Sequence, residues 1–153
     1  VIIGHSERRQ YFNESTKLIA DKIKTAHKLN LKVILCIGEL KSEIRNRKKV
    51  LRNQLKSLPV NPNHKNLIIA YEPVWAIGTG LTPSLLEING IHSSIRSILK
   101  SKSDFSNKVS ILYGGSVNAK NAKEILSLEN VDGALVGGAS LKFSEFSKII
   151  DYS

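Results

Sequence analysis

The sequence predicts an α/β protein built on a parallel sheet, and three features of the chain lead to this prediction. Short apolar runs alternate with longer stretches in which apolar residues recur at helical spacing. Most of the short runs are continuously apolar, which is typical of parallel strands buried on both faces. Each run ends in glycine, in an ionisable residue or in both, as expected where chemistry gathers at the carboxyl ends of parallel strands.

Five strands are predicted, at Val1–Ile3, Lys32–Ile37, Leu67–Tyr71, Val109–Tyr113 and Ala134–Val136. Apolar stripes predict four helices: Ile19, Ile23 and Ala26; Leu85, Ile88, Ile91 or His92, Ile95 and Leu99; Ala122, Ile125 and Leu126; and Phe143, Phe146 and Ile150. The polar segments Asn61–His64 and Ser101–Asp104 are predicted loops. Residues 1–153 contain no linker, so a single domain is expected. Five β/α units leave two architectures open, a doubly wound sheet and part of a (β/α)8 barrel.

Composition narrows the classes of function. A chain of 153 residues can bury a sizeable core. No apolar run approaches the ~20 residues needed to span a membrane, and the N-terminus lacks the features of a signal peptide, so no membrane partner is expected. The single cysteine, Cys36, excludes an internal disulfide framework and fits a reducing compartment. No group of His, Cys and carboxylate residues has metal-ligand spacing.

Much of the net charge of +10 lies in one basic segment, Lys41–Lys56. This segment holds seven Lys and Arg residues against Glu43 alone, and its apolar residues recur at helical spacing. We interpret it as the solvated face of an amphipathic helix. The alternative is a surface for nucleic acid, but no aromatic residues interleave the charges for base stacking, so no nucleic-acid partner is expected. The charge can still help to attract an anionic substrate.

Two glycine pairs follow the last two predicted strands, in Gly114-Gly115-Ser116 and Gly137-Gly138. Backbone N–H groups can approach an anion closely where side chains are absent, and a following helix adds a favourable dipole. Tight turns that need glycine are the structural alternative. Because two such pairs follow consecutive strands, we predict that they bind phosphate.

A carboxylate and an imidazole stand at the ends of two other predicted strands. Glu72 ends the strand Leu67–Tyr71 and is followed by Pro73 and by an apolar loop with Gly78 and Gly80, an arrangement suited to a base beneath a lid. His5 follows the first strand. Proton abstraction next to a carbonyl needs a base and an electrophile that stabilises the developing oxyanion. Glu72 and His5 are the candidates for these two roles.

Five motifs together resemble the triosephosphate isomerase family: Gly4-His5-Ser6-Glu7-Arg8-Arg9, Cys36-Ile37-Gly38-Glu39, Ala70–Gly80, Tyr113-Gly114-Gly115-Ser116-Val117 and Asp132–Leu141. They stand in the family's order, and the resemblance runs from Val1 nearly to the C-terminus. It implies a (β/α)8 barrel of which this chain covers about the last five units. It also implies interconversion of dihydroxyacetone phosphate and glyceraldehyde 3-phosphate, with no cofactor and no metal.

The resemblance also implies roles for individual residues. Glu72 is similar to the base and His5 to the neutral imidazole that polarises the carbonyl, in a family that is itself the standard illustration of this pairing. Ser6 and Glu7 are expected to support them, and Glu39 to lie near the lid. The expected phosphate ligands are Gly78, Ser116, Gly137 and Gly138. The expected lid, latch and neighbouring residues are Pro73, Val74, Trp75, Ala76, Ile77, Thr79, Gly80, Tyr113 and Leu135, with Ser116 also in the latch.

Departures from the family pattern limit what the chain is expected to do alone. The first strand of the family, with its asparagine and lysine, has no counterpart, nor does the loop that makes most of the family's dimer interface. We therefore expect a fragment of a cytoplasmic homodimeric enzyme. The 153 residues alone are expected to be a non-catalytic, phosphate-binding partial barrel.

Overall fold

The computed structural model describes residues 1–59, 66–102 and 109–152. These residues contain five strands: β1 (Ile2–Ile3), β2 (Val33–Ile37), β3 (Leu67–Tyr71), β4 (Ser110–Tyr113) and β5 (Gly133–Ala134). They also contain six α-helices: α1 (Ser6–Tyr11), α2 (Thr16–Lys28), α3 (Arg47–Gln54), α4 (Leu85–Lys100), α5 (Ala122–Leu126) and α6 (Phe143–Ile150). The predicted loop Asn61–His64 and the second half of Ser101–Asp104 lie outside the described residues.

The strands form one parallel sheet in the order β1-β2-β3-β4-β5. Each strand pairs with the strand before it, and the order never reverses. A doubly wound sheet reverses its strand order at a switch point, whereas a barrel adds strands in sequence. The structure therefore supports the partial barrel and not the doubly wound alternative.

The two faces of the sheet differ in burial. The face that carries Val33, Leu35, Ile69 and Ile111 packs against helices and is fully buried. On the other face, Ile34, Ile68 and Leu112 are only half-buried, and Ile2 is 51% exposed. The expectation of strands buried on both faces is thus correct for the helix-covered face, but on the inner face it holds only for Cys36 and Ala70, which are also fully buried, because five strands do not close around this face.

Helix α2 shows how the apolar pattern becomes packing. Ser15 caps its first turn by accepting a hydrogen bond from the Leu18 N–H at 3.2 Å. The predicted stripe Ile19, Ile23 and Ala26 is buried, as expected for residues spaced three and four apart. The stripe of α4 is also confirmed from Ile88 to Leu99, and His92 and Ile91 are both buried.

Two predicted elements differ from the structure. The basic segment is not one helix, because a 3₁₀ turn at Lys41–Asn46 precedes α3 and another at Leu55–Ser57 follows it. In α6 the predicted stripe is wrong, since Ile149 is buried while Phe143 is 88% exposed. This helix packs mainly against the 3₁₀ turn Gly138–Leu141 rather than on the sheet, so the predicted stripe has no surface to cover it.

β5 is shorter than predicted and begins one residue earlier. Its ladder to β4 pairs Leu112 with Gly133 and Tyr113 with Ala134. β4 ends at Tyr113, so the regular pairing stops there, although the Leu135 N–H still donates to the Tyr113 carbonyl at 2.9 Å. The register aligns Ile37, Tyr71 and Tyr113 at one edge of the sheet. The residues that follow these strands therefore meet at this carboxyl edge.

Candidate active site

His5 and Glu72 meet at the carboxyl edge of the sheet. The imidazole Nε2 lies 3.2 Å from Oε1 of Glu72. The other carboxylate oxygen, Oε2, accepts a hydrogen bond from the Ser6 N–H at 3.1 Å. Register explains the meeting, because Ile3 pairs with Leu35 while Ile37 pairs with Tyr71. His5, two residues beyond Ile3, is therefore level with the end of β3.

The hydrogen bond to Nδ1 of His5 defines the tautomer of its neutral ring. Its Nδ1 caps α1 by accepting a hydrogen bond from the Glu7 N–H at 3.4 Å, so Nδ1 presents a lone pair. A neutral ring then carries its proton on Nε2. That proton faces Glu72 and the cavity beside it, where it can be donated to a carbonyl oxygen.

Glu72 is a buried carboxylate, with only 2% of the residue exposed. Burial raises its pKa above the usual range for a glutamate, because a charged carboxylate is disfavoured away from water. His5, the Ser6 N–H, the Cys36 thiol and the Arg9 guanidinium oppose this effect by favouring the charge. A carboxylate with a raised pKa is a stronger base than an exposed one.

The predicted lid leaves β3 through Pro73 and forms a 3₁₀ turn at Val74–Ala76. The indole Nε1 of Trp75 donates to Oε1 of Glu39 at 3.2 Å, which anchors the start of the segment. Near its middle, the Ser116 hydroxyl donates to the Ala76 carbonyl at 2.5 Å. The segment beyond is open, since no heavy atom lies within 4 Å of a Cβ built at Gly78 or Gly80, and both have positive φ.

A cavity of about 500 Å³ lies in front of Glu72. It is lined by both glycine pairs and by the open part of the lid segment, and its volume is typical of small-molecule sites. The backbone N–H groups of Ser116, Gly137 and Gly138 have no acceptor among the residues that the structure describes. The predicted site residues that line this cavity are His5, Glu72, Ile77, Gly78, Gly80, Ser116, Leu135, Gly137 and Gly138.

Several predicted site residues lie behind or beside the cavity instead. The Glu7 side chain is 71% exposed, and its carboxylate is 4.0 Å from Nδ1 of His5. Tyr113 is buried beneath the glycine turn, and its hydroxyl has no hydrogen-bond partner within the described part of the chain. The Thr79 hydroxyl bonds within the lid, to the Trp75 carbonyl at 3.2 Å. Pro73, Val74, Trp75 and Ala76 do not line the cavity.

The structure adds three residues that sequence reasoning did not assign to the site. Arg9 joins the ends of β1 and β2, because its guanidinium donates to the Gly4 carbonyl at 2.7 Å and to the Cys36 carbonyl at 2.9 Å. Cys36 is buried and free, its thiol contacts Glu72, and burial raises its pKa. Gly38 lies directly beneath the backbone of Glu72. Arg9 and Gly38 stand in recognised motifs, but the sequence does not show what they touch.

The described residues contain neither a metal-binding cluster of side chains nor a membrane-spanning helix. Across residues 1–59, 66–102 and 109–152, no three His, Cys, Asp or Glu residues are arranged to hold a metal ion. Within the same ranges, no helix combines the length and apolarity required to cross a bilayer.

The sheet order and the cavity at its carboxyl edge define a protein of the (β/α)8-barrel class. The triosephosphate isomerase family model matches residues 1–153, so the chain belongs to the triosephosphate isomerase family. It is 49% identical to a triosephosphate isomerase from Alkaliphilus oremlandii, with 99% of this chain and 64% of the relative covered. It is 46% identical to a triosephosphate isomerase from Rhizobium meliloti, with 97% of this chain and 60% of that relative covered.

A solved structure of triosephosphate isomerase from Bartonella henselae has the same fold. It superposes with a TM-score of 0.91 at 40% identity, covering 99% of this chain and 63% of that one. The chain thus spans about three-fifths of the length of the relatives it matches.

Proposed function

We propose that the complete protein interconverts dihydroxyacetone phosphate and glyceraldehyde 3-phosphate. The observation that supports this most directly is the contact between His5 Nε2 and Glu72 Oε1, at 3.2 Å, in a cavity that also contains both glycine pairs. One side of the cavity supplies a base and a proton donor. The other side supplies unpaired backbone N–H groups suited to a phosphate.

In the proposed reaction, Glu72 removes a proton from C1 of dihydroxyacetone phosphate. The electrons of the C–H bond form the C1–C2 double bond, and the carbonyl oxygen on C2 takes up the negative charge. The Nε2–H of His5 stabilises this oxyanion by donating a hydrogen bond to it. The proton of the C1 hydroxyl then passes to the oxygen on C2, and Glu72 returns its proton to the carbon C2, which gives the aldehyde and leaves Glu72 deprotonated again.

The resting arrangement of Glu72 requires the substrate to replace one of its partners. Oε2 accepts a hydrogen bond from the Ser6 N–H, and Oε1 lies 3.2 Å from Nε2 of His5. A substrate carbonyl that accepts the Nε2–H of His5 would release Oε1 to act as the base. Closure of the lid segment over the phosphate would then exclude water from the enediolate, as loop closure does in this family.

We also propose that the 153 residues alone bind phosphate but do not catalyse the reaction. β1 and β5 each pair on one side only in the described sheet, and the inner face is half-exposed. If the chain forms the last five units of a barrel, as proposed, then the site is completed by a preceding segment.

A chimera tests both proposals. The part of the Alkaliphilus oremlandii relative that precedes its match would be fused in front of Val1, and isomerase turnover compared with that of the 153-residue chain. Turnover by the chimera alone is the expected result. Activity of the chain alone near that of the chimera would overturn the second proposal, and a folded but inactive chimera would overturn the first.

Substitution of Glu72 within the chimera tests its assigned role. Glu72→Asp moves the carboxylate back by roughly 1 Å, and such displacements can lower kcat by about 10²-fold. The Michaelis constant should change far less, because the glycine pairs are untouched. The control is Glu129→Asp on the exposed surface, which should leave kcat unchanged. Unchanged kcat in Glu72→Asp would remove Glu72 from the role of base.

We further propose that the complete protein is a cytoplasmic homodimer. The buried free thiol of Cys36 is compatible with a reducing compartment, and the family resemblance supports the dimer. Light scattering on the chimera would give its mass directly, and a monomer at micromolar concentration would contradict the homodimer. Localisation of the tagged protein in intact cells would test its compartment.

A further inference from the structure

A second and larger cavity, of about 590 Å³, lies between α3 and α4. It shares no lining residue with the cavity in front of Glu72. Apolar side chains from both sides line it, among them Ile44, Leu51 and Ile91. Gly90 on α4 borders open space in this cavity, because no heavy atom lies within 4 Å of a Cβ built there. We call this cavity the α3–α4 groove.

Cations surround the groove. Arg45, Lys48 and Lys49 line it, and Lys48 and Arg52 line a neighbouring cavity of about 180 Å³. Lys48 and Arg52 are four residues apart and so share one face of α3. None of these four cations has an ion-pair or hydrogen-bond partner for its side chain within the described residues. Unpaired like charges at this spacing destabilise a helix, and a bound anion would relieve that repulsion.

Negative charge from the protein itself does not balance these cations. The one carboxylate lining the groove, Glu87, caps α4 by accepting hydrogen bonds from the Ser84 N–H at 3.0 Å and the Ser84 hydroxyl at 2.9 Å. Glu39 already forms an ion pair with Arg47, whose Nε donates a hydrogen bond to its carboxylate at 2.8 Å. The groove therefore keeps a positive potential that can attract an anionic ligand.

The smaller cavity is suited to an anionic head group. Ser93, Ser94 and Ser97 of α4 line it opposite Lys48 and Arg52. Ser94 and Ser97 donate within α4, to carbonyls of Gly90 and Ser93, at 2.9 and 3.0 Å. The exposed Ser93 hydroxyl makes no hydrogen bond among the described residues, so it can donate to a phosphate oxygen. Lys48 and Ser94 line both cavities, so the two lie next to each other.

We propose that the α3–α4 groove binds an organic phosphate with an apolar body. The phosphate lies between Lys48, Arg52 and Ser93, and the apolar body lies over Leu51 and Ile91 beside Gly90. Charge complementarity selects the head group, and the apolar lining distinguishes such a ligand from inorganic phosphate. The groove contains no aromatic residue on which bases can stack, which disfavours nucleic acid. The proposal does not depend on the isomerase reaction, because the two cavities share no residue.

Calorimetric titration of the 153-residue chain with phenyl phosphate tests the proposal. Inorganic phosphate and benzyl alcohol serve as the head-group and apolar-body probes. Phenyl phosphate should bind at least about tenfold more tightly than either, since each lacks half of the contacts. Each ligand is titrated alone, and the variants below separate binding in the α3–α4 groove from binding at the glycine pairs near Glu72.

Three variants locate the binding. Gly90→Leu fills the groove without changing charge, and should abolish phenyl phosphate binding while raising thermal stability, because leucine is the better helix former. Lys48→Ala with Arg52→Ala should weaken binding about tenfold or more. The matched control is Lys120→Ala with Lys123→Ala, two exposed lysines outside the groove, which should leave binding unchanged. Circular dichroism checks folding of each variant.

Three results would overturn the proposal. The first is unchanged phenyl phosphate binding in Gly90→Leu. The second is equal loss of binding in the control pair, which would indicate nonspecific attraction to the net charge. The third is a single-stranded RNA oligonucleotide that binds more tightly than phenyl phosphate and competes with it, with a steep dependence on salt. That outcome would instead identify the basic segment as a nucleic-acid surface.

Discussion

Nε2 of His5 and Oε1 of Glu72 lie 3.2 Å apart, and each residue constrains the other. Nε2 of His5 lies beside the carboxylate while its Nδ1 caps α1. Glu72 is held between that imidazole and the Ser6 N–H. The contact favours the charged carboxylate, while burial opposes it. The net rise in the pKa of Glu72 is thus smaller than burial alone would produce.

The opposing effects of burial and of the His5 contact on the pKa of Glu72 predict how kcat/KM of the chimera falls at acid pH. A base acts in its deprotonated form, so kcat/KM should fall as pH drops through the raised pKa of Glu72. His5→Gln removes an interaction that lowers this pKa, so the fall should begin at a higher pH in the variant. The substrate's own titration is common to both proteins and cancels in the comparison. A shift of the acid side to lower pH in His5→Gln would contradict this account of the pair.

The close approach of Gly38 to the backbone of Glu72 predicts that a side chain at position 38 lowers the stability of the chain. A Cβ at Gly38 would lie 1.6 Å from the carbonyl oxygen of Glu72, so Gly38→Ala must displace the backbone that positions the base. Overpacking of this kind typically costs about 1–3 kcal/mol of unfolding free energy. Gly90→Ala is the matched control, since no heavy atom lies near its Cβ, and should stabilise the chain by roughly 0.5–1 kcal/mol. Urea unfolding measures both, and equal effects would refute the argument from close approach.

The positions of these residues show what the sequence could and could not predict. Parallel strands with aligned register bring His5, Glu72 and both glycine pairs to one edge, which is why strand ends alone located the candidate cavity. Hydrophobic periodicity likewise predicted the buried face of α2. Both signals are local, since they depend on spacing along one element.

The residues that were missed act through contacts between distant segments. Arg9 joins β1 to β2, and Gly38 packs beneath the backbone of Glu72. No spacing rule encodes such contacts, because they depend on where separate strands end in space. The exposed Phe143 of α6 illustrates the same limit, since a stripe is buried only where a partner surface covers it.

Glu39 provides the third prediction, because three donors share one of its oxygens. Oε1 accepts from Arg47 Nε at 2.8 Å, from the Tyr71 hydroxyl at 3.0 Å and from Trp75 Nε1 at 3.2 Å. The Glu39 side chain is fully buried, and that of Arg47 is 15% exposed. Glu39→Gln would leave the arginine uncompensated and should cost about 3–5 kcal/mol of unfolding free energy. Tyr71→Phe, which keeps the ion pair, should cost only ~1 kcal/mol.

A double-mutant cycle separates the ion pair from its surroundings. Glu39→Gln with Arg47→Gln should destabilise the chain by less than the sum of the two single changes, because each single change leaves one buried charge unpaired and the double variant leaves none. Circular dichroism is the appropriate measure of unfolding, since Trp75 is the only tryptophan and contacts Glu39 directly. Additive effects would show that the two side chains are not coupled.

His92 gives the fourth prediction, a dependence of stability on pH. It is fully buried beside the rings of Tyr71 and Tyr113, whose centroids lie 5.8 and 6.3 Å from its own. Burial lowers the pKa of His92 to about 4. An unfolded histidine binds its proton near pH 6.5, so below that pH the unfolded chain takes up a proton that the folded chain does not. The contribution of neutral His92 is therefore complete above about pH 6.5 and is lost as pH falls towards 4.

The size of this loss of stability follows from the pKa shift of His92. At about 1.4 kcal/mol per pKa unit, the loss between pH 7 and pH 4 amounts to ~3 kcal/mol of unfolding free energy. In His92→Phe this loss should disappear, whatever the stability of the variant at pH 7, because phenylalanine does not titrate. Tyr113→Phe alters the same cluster without removing an imidazole, so it should keep the pH dependence of the parent chain. Urea unfolding of all three proteins at several pH values measures the difference, and an unchanged slope in His92→Phe would assign the acid sensitivity to other groups.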